Sequence, residues 1–580
     1  EWRPDSANFL CLQFQGPPGN PDALGAKVVL HYGQDSKLYA EQQRQRGYLS
    51  TVGSTLHFGI GTARQVDSLT VMWPGGGVSR VDQTVANQTL TMAYADRDPN
   101  GVSDSFPLKR KDQLRRVATD DLPAYRENER SDFDQHALSV RDHAKSGPAL
   151  TTLDLDGDGT DELVMGGATG QEVSIYRADG ETMREVQTLA ETLPLESTAL
   201  LTFDYDGDGD EDLYVGNGST EFEDQEQFYR DQFYENQEGW LVLRNDLLPD
   251  IKTPTSAAAV ADIDGDGDLD LFVGSRSRPG EYPRAAPSYL YTNTGSGFAL
   301  RNALELGLVT GAAWEDLDGD NRPDLITVGE YTTPTIHWNQ KGQLEAAVPD
   351  GLSNGWWYSV SPGDLDGDGD VDLLLGNFGL NSIYTATKDK PLRVLVEDFD
   401  KNGSIDPIML AYFGTDNHPV HPRNTLGHQI PGFKRQMTSY AQYGTYSEEN
   451  MPPVTEAGFV LQAEEFRSFY LRNDGDRKFT VLPLPLRGQL APIRDAVPYR
   501  TDVGEEVMLV VENDYAVEPR FGRMDSGTGF ALRLDEQGAL VTDSDFWAVR
   551  GPAHTLVRLN GQIVVGMNDG PLGVYVPSSR

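Results

Sequence analysis

A nine-residue acidic motif recurs along this chain and constrains its fold more than any other feature. The first copy reads Asp-Leu-Asp-Gly-Asp-Gly-Thr-Asp-Glu, and the six copies start at Asp154, Asp204, Asp262, Asp316, Asp364 and Asp398. Oxygen atoms at positions 1, 3, 5 and 9, with the backbone carbonyl of position 7, can surround one hard cation. Glycine near position 6 permits the sharp turn that this requires. A wide, flexible loop of oxygen ligands suits Ca²⁺ better than Mg²⁺.

The motif therefore predicts about six calcium ions, one in each loop. Acidic surface turns that bind nothing could explain a single copy, but they explain six copies poorly. We expect the weakest sites to be the loops with Glu162 at position 9 and Asn402 at position 5. The predicted ligands are Asp154, Asp156, Asp158, Thr160 and Glu162; Asp204, Asp206, Asp208, Asp210 and Asp212; Asp262, Asp264, Asp266, Asp268 and Asp270; Asp316, Asp318, Asp320, Arg322 and Asp324; Asp364, Asp366, Asp368, Asp370 and Asp372; and Asp398, Asp400, Asn402, Ser404 and Asp406.

The sequence after each loop predicts strands rather than helices. The loops lack the Glu at position 12 and the flanking helices of an EF-hand. A short apolar run such as Asp-Leu-Phe-Val-Gly at 270–274 follows instead, which indicates strand–loop–strand. The first five loops start between 48 and 58 residues apart, the length of one four-stranded propeller blade. The sixth starts only 34 residues after the fifth, which predicts an insertion at about 380–460 in blade five.

The later part of the chain predicts two further blades without a metal loop. Segments 506–514 and 562–570 align with the strands that follow the loops. Together with 60 glycines and few helical patterns, this predicts an all-β chain with a seven-bladed β-propeller at 131–580. We expect the strand 137–141 to close the ring by completing the blade of 551–577.

Residues 1–97 form a separate predicted unit without a calcium loop, and 98–130 is predicted to be a polar linker. The unit contains Asn-Pro-Asp-Ala-Leu-Gly-Ala-Lys-Val from Asn20, Leu-His-Phe-Gly-Ile-Gly from Leu56 and Val-Asp-Ser-Leu-Thr-Val-Met-Trp-Pro-Gly from Val66. These motifs resemble the ASPIC/UnbV domain, which occurs in cartilage acidic protein and in bacterial secreted proteins. The resemblance implies a β-sandwich-like fold.

A second signature follows the loops and carries another resemblance. It reads Phe-Tyr-Glu-Asn-Gln-Glu-Gly-Trp at 233–240, Leu-Tyr-Thr-Asn-Thr-Gly-Ser-Gly-Phe at 290–298 and Tyr-Leu-Arg-Asn-Asp-Gly-Asp at 470–476. We interpret these segments as the outer hairpin of each blade, with an Asn/Gly turn. Together the two signatures resemble FG-GAP repeats, also called VCBS repeats, of the integrin α-subunit propeller. The resemblance implies an extracellular protein that binds protein or carbohydrate at the cell surface.

Charge and cysteine content limit the classes of partner and the compartment. The formal net charge is −42, so nucleic acid and anionic membranes are poor partners. The single cysteine, Cys11, excludes an intrachain disulfide. Calcium loops of this kind fill where calcium is millimolar, which predicts a secreted or cell-surface location. No apolar run approaches about 18 residues. The chain begins at Glu1 without Met, and we expect it to be part of a longer secreted chain or complex.

The turns after each post-loop strand predict a recognition face opposite the metal hairpins. They differ from blade to blade and carry residue types that are common at binding hot spots. The adjacent Trp356 and Trp357 could either pack in the core or form a platform for a carbohydrate or peptide. The candidates for this face are Asn217, Arg276, Arg278, Tyr331, Trp356, Trp357, Asn377, Asn381, Tyr515 and Asn568.

Three functions fit these patterns. The first is a calcium-stabilised binding or scaffold protein outside the cell. The second is a polysaccharide-acting enzyme or its accessory module, although the sequence contains no catalytic constellation that we can identify. The third is a structural spacer in a surface assembly or filament. His418, His421 and His428 could suggest zinc, but ordinary loop histidines are the favoured interpretation because no fourth ligand is evident.

Overall fold

The structure is a computed structural model that describes residues 7–33, 36–45, 50–99, 101, 113–117, 122–134, 136–180, 182–190, 194–222, 225–518, 520 and 522–578. The chain divides into two compact units, Glu1–Lys111 and Asp112–Arg580. Segments 102–112 and 118–121 of the predicted linker lie outside the described residues, as do residues 46–49. Short 3-10 helices occur at Tyr94–Asp96, Asp132–Asp134, Glu226–Tyr229, Glu448–Asn450 and Leu486–Gln489.

The first unit consists of two β-sheets that enclose one apolar core. Its strands are β1 (Phe9–Gln15), β2 (Lys27–Tyr32), β3 (Ser36–Glu41), β4 (Leu56–Gly59), β5 (Gln65–Met72), β6 (Val78–Val85) and β7 (Gln88–Ala93). The sheet orders are β4-β1-β7 and β3-β2-β5-β6. Leu10 and Phe58 of the first sheet join Val28, Leu69 and Val71 of the second in one buried cluster. The alternation of apolar and polar residues thus produces the predicted sandwich-like unit.

The second unit is built of successive four-stranded antiparallel sheets. Two short strands come first, β8 (Leu114–Arg116) and β9 (Ala124–Tyr125). Sheet 1 then comprises β10 (Leu150–Leu153), β11 (Glu162–Met165), β12 (Val173–Asp179) and β13 (Thr182–Leu189). Sheet 2 comprises β14 (Ser197–Phe203), β15 (Asp212–Asn217), β16 (Gln232–Asn236) and β17 (Leu241–Leu243). Sheet 3 comprises β18 (Thr255–Ala261), β19 (Asp270–Ser275), β20 (Ser288–Asn293) and β21 (Phe298–Leu304).

Sheets 4 and 5 are hydrogen-bonded to each other, and an insertion interrupts sheet 5 along the chain. Sheet 4 comprises β22 (Leu308–Glu315), β23 (Asp324–Thr332), β24 (Thr335–Asn339) and β25 (Leu344–Ala347). Sheet 5 begins with β26 (Gly355–Gly363) and β27 (Asp372–Asn377), and β26 also pairs with β23 through Glu330 and Trp356. The insertion contains β28 (Leu392–Glu397), β29 (Asp406–Phe413), β30 (Asp416–Pro419), the helices α1 (Arg423–Gln429), α2 (Pro431–Gln436) and α3 (Tyr440–Tyr443), and β31 (Phe459–Ala463).

The chain returns from the insertion to complete sheet 5 and then forms two more sheets. Sheet 5 ends with β32 (Phe469–Asn473) and β33 (Phe479–Pro483). Sheet 6 comprises β34 (Ile493–Arg500), β35 (Glu506–Glu512), β36 (Phe530–Leu534) and β37 (Leu540–Asp543). Sheet 7 contains β38 (Ala553–Leu559), β39 (Gln562–Met567) and β41 (Gly573–Pro577), while β40 (Gly570–Pro571) pairs with β9.

The first strands of the seven sheets form a closed ring. Each contacts the first strand of the next sheet, and β38 of sheet 7 contacts β10 of sheet 1. Hydroxyl groups reinforce these contacts: Thr198 donates to the carbonyl of Thr255 at 2.6 Å, and Ser256 donates to that of Val309 at 2.7 Å. The second strands, such as β15 and β19, are buried at every residue because neighbouring sheets cover both of their faces. This arrangement is the β-propeller that the sequence predicted.

The ring closes differently from the sequence prediction. Sheet 7 has the order β38-β39-β41-β8, so Leu114–Arg116 is the closing strand. The predicted strand 137–141 does not pair with sheet 7; Arg141 instead forms an isolated bridge with Val517. The second half of the predicted linker therefore belongs to the second unit. The sequence did not predict this closing strand, because β8 has only three residues and lies beside a highly charged stretch.

The insertion is a small module with its own sheet and apolar core. Its sheet has the order β30-β29-β28-β31, and the sixth acidic loop joins β28 to β29. Leu426, Ile430 and Phe433 from the helices pack on Leu395 and Ile408 of this sheet. The helix α1 follows Pro422 directly, and α2 begins with Pro431, because proline is favoured at the first position of a helix. In the described part of the chain, no helix has the length and apolarity needed to cross a membrane.

Candidate functional site

The position-1 aspartates organise the acidic loops by accepting backbone hydrogen bonds. In the third loop, Asp262 Oδ1 accepts from Gly265 N at 2.7 Å and Asp262 Oδ2 from Gly267 N at 3.0 Å. Gly267, at position 6, has φ +99°, a left-handed conformation that glycine adopts at low cost. The fourth loop has Asn321 at this position with φ 63°, which asparagine also tolerates. The loops thus fold in the same way despite this difference.

The position-9 carboxylates are buried and join each loop to its sheet. Asp212 Oδ2 accepts from Tyr205 N at 3.0 Å, and Asp212 Oδ1 accepts from Asn236 N of β16 at 2.8 Å. The third, fourth and fifth loops have the same bond from the third strand, to Asp270, Asp324 and Asp372. The exposed fraction of these four aspartates is at most 2%. One end of each loop is therefore fixed in the protein interior.

Carboxylate oxygens gather within each of the first five loops. Three acidic side chains in a loop place one oxygen each within 4.8 Å of the others. The groups are Asp154, Asp156 and Glu162; Asp204, Asp206 and Asp212; Asp262, Asp264 and Asp266; Asp316, Asp318 and Asp320; and Asp364, Asp366 and Asp372. The sixth loop has the same backbone bonds, with Asp398 accepting from Asn402 N at 3.0 Å and from Gly403 N at 2.9 Å. Each loop offers the all-oxygen donor set that hard cations prefer.

The pKa values of the position-9 carboxyls reflect the cost of this arrangement. Burial raises the pKa of Asp212 to about 7 and that of Asp270, Asp324, Asp372 and Asp406 to about 6. Backbone hydrogen bonds oppose the shift, and nearby aspartates of the same loop add to it in all five cases. A bound cation would favour the ionised form, so these loops are electrostatically suited to one.

Arginine side chains contact the position-3 aspartate in three loops. Arg177 Nη2 lies 2.6 Å from Asp156, Arg301 Nη1 lies 3.0 Å from Asp264, and Arg477 Nη2 lies 2.5 Å from Asp318. In the fourth loop, the side chain of Arg322 at position 7 also pairs with Asp320. Each guanidinium offsets part of the negative charge of its loop. The sequence did not predict these contacts, because Arg177, Arg301 and Arg477 lie outside the motif and Arg322 was predicted to contribute only its backbone carbonyl.

Comparison with known families agrees with this architecture. Residues 16–99 match the family described as ASPIC and UnbV. Residues 154–215 and 316–375 match the FG-GAP-like repeat, and residues 254–296 match the FG-GAP repeat. The chain carries an ASPIC and UnbV domain followed by FG-GAP repeats. The matched repeats contain five of the six acidic loops.

Solved structures add little to this assignment. The crystal structure of BBS1N in complex with ARL6DN, soaked with lead, is 12% identical, has a TM-score of 0.35 and covers 76% of this chain and 94% of that chain. The computationally designed Ika8 protein is also 12% identical, with a TM-score of 0.33, and covers 76% of this chain and 99% of that chain. No curated protein matches the chain.

The asparagine of the second FG-GAP signature links neighbouring sheets. Asn293 Nδ2 in sheet 3 donates to the carbonyl of Tyr205, in the acidic loop of sheet 2, at 2.7 Å. Equivalent bonds run from Asn236 to Leu155 at 3.0 Å, from Asn339 to Ile263 at 2.8 Å and from Asn473 to Leu317 at 2.8 Å. We call these four bonds the asparagine staples. The sequence predicted that this asparagine lies in a turn. The structure shows that its side chain also bonds to the acidic loop of the preceding sheet.

Replacing Asn293 with alanine is expected to destabilise the protein by about 1–3 kcal/mol, because the buried carbonyl of Tyr205 loses its donor. The measurement is the free energy of unfolding in denaturant with calcium present. Asn302→Ala is the matched control, since Asn302 is exposed on the adjacent strand β21. Equal stability of the two variants would contradict a structural role for the staple.

Most candidates for the recognition face are buried, which corrects the sequence prediction. Asn217 Nδ2 donates to Arg230 O at 2.8 Å, and Asn377 Nδ2 donates to Glu465 O at 3.0 Å. Asn568 Nδ2 donates to Gly147 O at 2.7 Å. These asparagines hold the turns together because a buried amide needs such partners. Their side chains are therefore not available as a surface.

The tryptophan pair packs in the interior and does not form a platform. Trp356 is 2% exposed and donates from Nε1 to Glu330 at 2.9 Å, with its ring 5.5 Å from that of Tyr331. Trp357 has no exposed surface and donates to Thr332 O at 3.1 Å. Tyr331 itself is 5% exposed. Aromatic size made these residues attractive candidates, but Trp357 packs in the core between sheets 4 and 5, and Trp356 and Tyr331 pack in a cluster with the insertion.

Four candidates retain solvent contact. Arg278 and Asn381 are exposed, whereas Arg276 and Tyr515 are partly buried. Asn381 Nδ2 donates to Ser526 Oγ at 2.7 Å, and the guanidinium of Arg523 lies 4.9 Å from the ring of Tyr515. In the insertion, His418 Nδ1 contacts Tyr446 O at 2.9 Å and buried His421 accepts from Met409 N at 3.3 Å. These bonds agree with ordinary structural histidines.

Proposed function

We propose that this protein is a calcium-stabilised binding or scaffold protein of the extracellular space or cell surface. The observation that carries the proposal is the repeated gathering of carboxylate oxygens in loops whose position-9 carboxylates are buried. We propose six calcium ions, one in each acidic loop, and we interpret the seven sheets of the ring as seven blades. Millimolar extracellular calcium supports the location, because it would keep such loops filled.

The recognition face is the set of turns at the ends of the second strands. Arg278 and Asn381 are its exposed members, and Arg276 and Tyr515 contribute partly exposed surface. A protein or carbohydrate partner fits this face, because arginine, tyrosine and asparagine combine hydrogen bonding with contact area. FG-GAP repeats in this chain support a binding module in general terms. A binding screen can identify the partner.

The experiment is a binding screen of the full chain against arrays of glycans and extracellular proteins, with calcium present. Arg278→Glu and Asn381→Ala are expected to weaken capture of any specific partner by roughly tenfold or more, since a hot-spot contact is worth about 2 kcal/mol. Lys341→Glu is the matched control, because Lys341 is exposed in the turn between β24 and β25, on the side of the acidic loops.

The outcomes separate the three functions that the sequence allowed. Partner capture that depends on Arg278 and Asn381 supports the proposal. Capture that is lost in Lys341→Glu but retained in the other variants would move the binding surface to the acidic-loop side. Cleavage of arrayed acidic polysaccharides would favour an enzyme, and absence of both capture and cleavage would favour a structural spacer.

A further inference from the structure

A polar cavity of about 330 Å³ lies at the centre of the ring. Its wall is formed largely by small residues of the first strands, including Ala199, Thr255, Gly311, Ser359 and Thr555. Because these side chains are short, they leave open space along the ring axis. Larger basic side chains enter this space from the surrounding turns and strands. The cavity lies away from the acidic loops, since those loops begin after the opposite ends of the same strands.

Five basic side chains line the cavity, in a chain whose formal net charge is −42. They are Arg141, His143, Arg276, Arg494 and His554. The exposed fraction of their side chains is 5% for Arg141, 13% for Arg276 and 11% for Arg494. Both histidines are buried, and their pKa values are lowered first by that burial and also by the nearby arginines. Three guanidinium groups are thus held where solvent is scarce.

The acidic groups around the cavity already have protein donors on their oxygens. Asp514 binds Arg141 Nε at 2.8 Å and also accepts from Ala516 N at 3.0 Å. Asp495 accepts from Thr555 Oγ1 and Leu556 N, both at 3.0 Å, and from Ala496 N at 2.8 Å.

Glu330 is likewise surrounded by donors. It pairs with Arg276, and it accepts from Tyr282 Oη at 3.0 Å and from Trp356 Nε1 at 2.9 Å. Asp514 receives one further bond, from Tyr358 Oη at 3.3 Å. Asp514 and Glu330 therefore pair with Arg141 and Arg276, and Arg494 Nη1 also lies 4.0 Å from Asp514. These carboxylates already accept several bonds each, which leaves them little capacity for further donors.

Several nitrogen atoms of the basic groups remain without a hydrogen-bond partner among the described residues. They are Nδ1 and Nε2 of His143, Nε2 of His554, Nε of Arg276 and Nε of Arg494. Arginine has donors only, and neutral His143 keeps one free donor because neither of its ring nitrogens is bonded. His554 already donates from Nδ1 to Ser146 O at 3.3 Å, so its Nε2 is an acceptor. Buried donors without partners are costly, so native structures rarely leave them unsatisfied. A ligand that supplies acceptor atoms would complete the hydrogen bonds of these donors.

From this excess of buried donors we propose that the axial cavity binds the anionic head group of a small organic acid. An oxyanion offers several acceptor lone pairs and complements the guanidinium groups, whose hydrogen bonds to charged acceptors are the stronger ones. A head group of this kind would accept from Arg494, from Arg276 and from the free donor of His143. The site shares Arg276 with the recognition face but lies along the ring axis, and it does not require the proposed partner.

A second, more apolar chamber indicates that the acid carries an apolar body. This chamber has a volume of about 270 Å³ and shares Arg141 and Tyr358 with the axial cavity. Its wall includes Phe378, Ile383 and Met524. A cavity of about 150 Å³ is sufficient to hold a benzene ring. An aromatic or branched aliphatic carboxylic acid therefore fits both chambers, with its head at the arginines and its body beside Phe378.

The test uses 4-bromobenzoate as the probe and the full chain in saturating calcium. Calorimetric titration is expected to detect binding of 4-bromobenzoate and no binding of 4-bromobenzyl alcohol, which has the same ring without the charge. Arg494→Gln is expected to weaken binding roughly tenfold or more, because it removes a charged donor. The variant should fold, since Asp514 keeps Arg141 at 2.8 Å.

Arg500→Gln is the matched control, because the Arg500 side chain is 72% exposed. A crystal soaked with 4-bromobenzoate gives an independent result that needs no variant: an anomalous bromine peak is expected beside Phe378, with the carboxylate at Arg494. The proposal is overturned if the acid and the alcohol bind equally, or if only ordered water fills the axial cavity of the soaked crystal. Unchanged binding by folded Arg494→Gln would overturn it as well.

Discussion

Removal of calcium is expected to lower the melting temperature of the second unit strongly and that of the first unit little. A ligand that binds only the folded state stabilises it by about 2.7 kcal/mol per site at a hundredfold excess over Kd. Several such sites together are comparable with the whole net stability of a domain, about 5–15 kcal/mol. Removing the ion also leaves the gathered carboxylates of each loop to repel one another.

The measurement combines calcium stoichiometry, thermal melting and hydrogen exchange on the full chain. Equilibrium dialysis should find about six ions per chain. In EDTA, peptides from the ring sheets should lose protection, whereas peptides from residues 7–99 should exchange as before. Three or fewer bound ions, or equal loss of protection in the first unit, would contradict the assignment of the ions to the acidic loops.

The stability of the second unit is also expected to depend on pH, and the direction of this dependence should be opposite without and with calcium. Burial raises the pKa of Asp212 to about 7 and of Asp270 to about 6, above the unfolded value of 3.8. Without a cation, the folded state therefore holds protons more tightly, and stability should fall as pH rises from about 4 to 7. With calcium, protons compete with the ion, so stability should rise over the same range. Parallel slopes would contradict this competition.

Disruption of the closing strand is the second large effect that we expect. Leu114 of β8 is 1% exposed and packs with Trp547 and Tyr575 in a buried cluster. Its backbone N donates to Phe546 O at 3.1 Å. Leu114→Asp removes this packing, which alone costs about 2–5 kcal/mol for a buried leucine, and adds a buried carboxylate. Loss of β8 would also expose the edge of β41 to other chains.

Thermal melting and light scattering measure this effect. Leu114→Asp should melt at a much lower temperature and aggregate on heating. Arg116→Asp is the control, because it introduces an aspartate two positions further along β8, where the side chain is exposed. This variant should melt like the parent protein. If both variants melted together near the parent temperature, β8 would not be essential for closing the ring.

The parts of the fold that could be predicted from sequence are those set by local, repeated chemistry. The acidic loops and their following strands were visible because each needs carboxylates at fixed spacing and a short apolar run. The ring itself followed from the regular distance between loops. The first unit was recognisable in the same way, from its sequence motifs.

The parts that could not be predicted depend on contacts between distant residues. Trp357 and Asn377 look like surface candidates in sequence, but neighbouring sheets bury them. The closing strand is too short to show a period. The basic groups of the axial cavity come from positions as far apart as Arg141 and His554, and only ring closure brings them together. The pairing of Arg477 with Asp318 has the same origin, because 159 residues separate them.

The asparagine staples also imply that the ring resists pulling forces unevenly. They connect sheets 1 to 5 in sequence, each joining a third strand to the acidic loop of the preceding sheet. Sheets 6 and 7 lack the acidic loop in their sequence, so the same staple cannot join sheet 7 to sheet 6 or sheet 1 to sheet 7. Under tension, the stapled arc should move as one body while the seam between β8 and β41 peels first. Calcium would then determine how much load the arc bears before it yields.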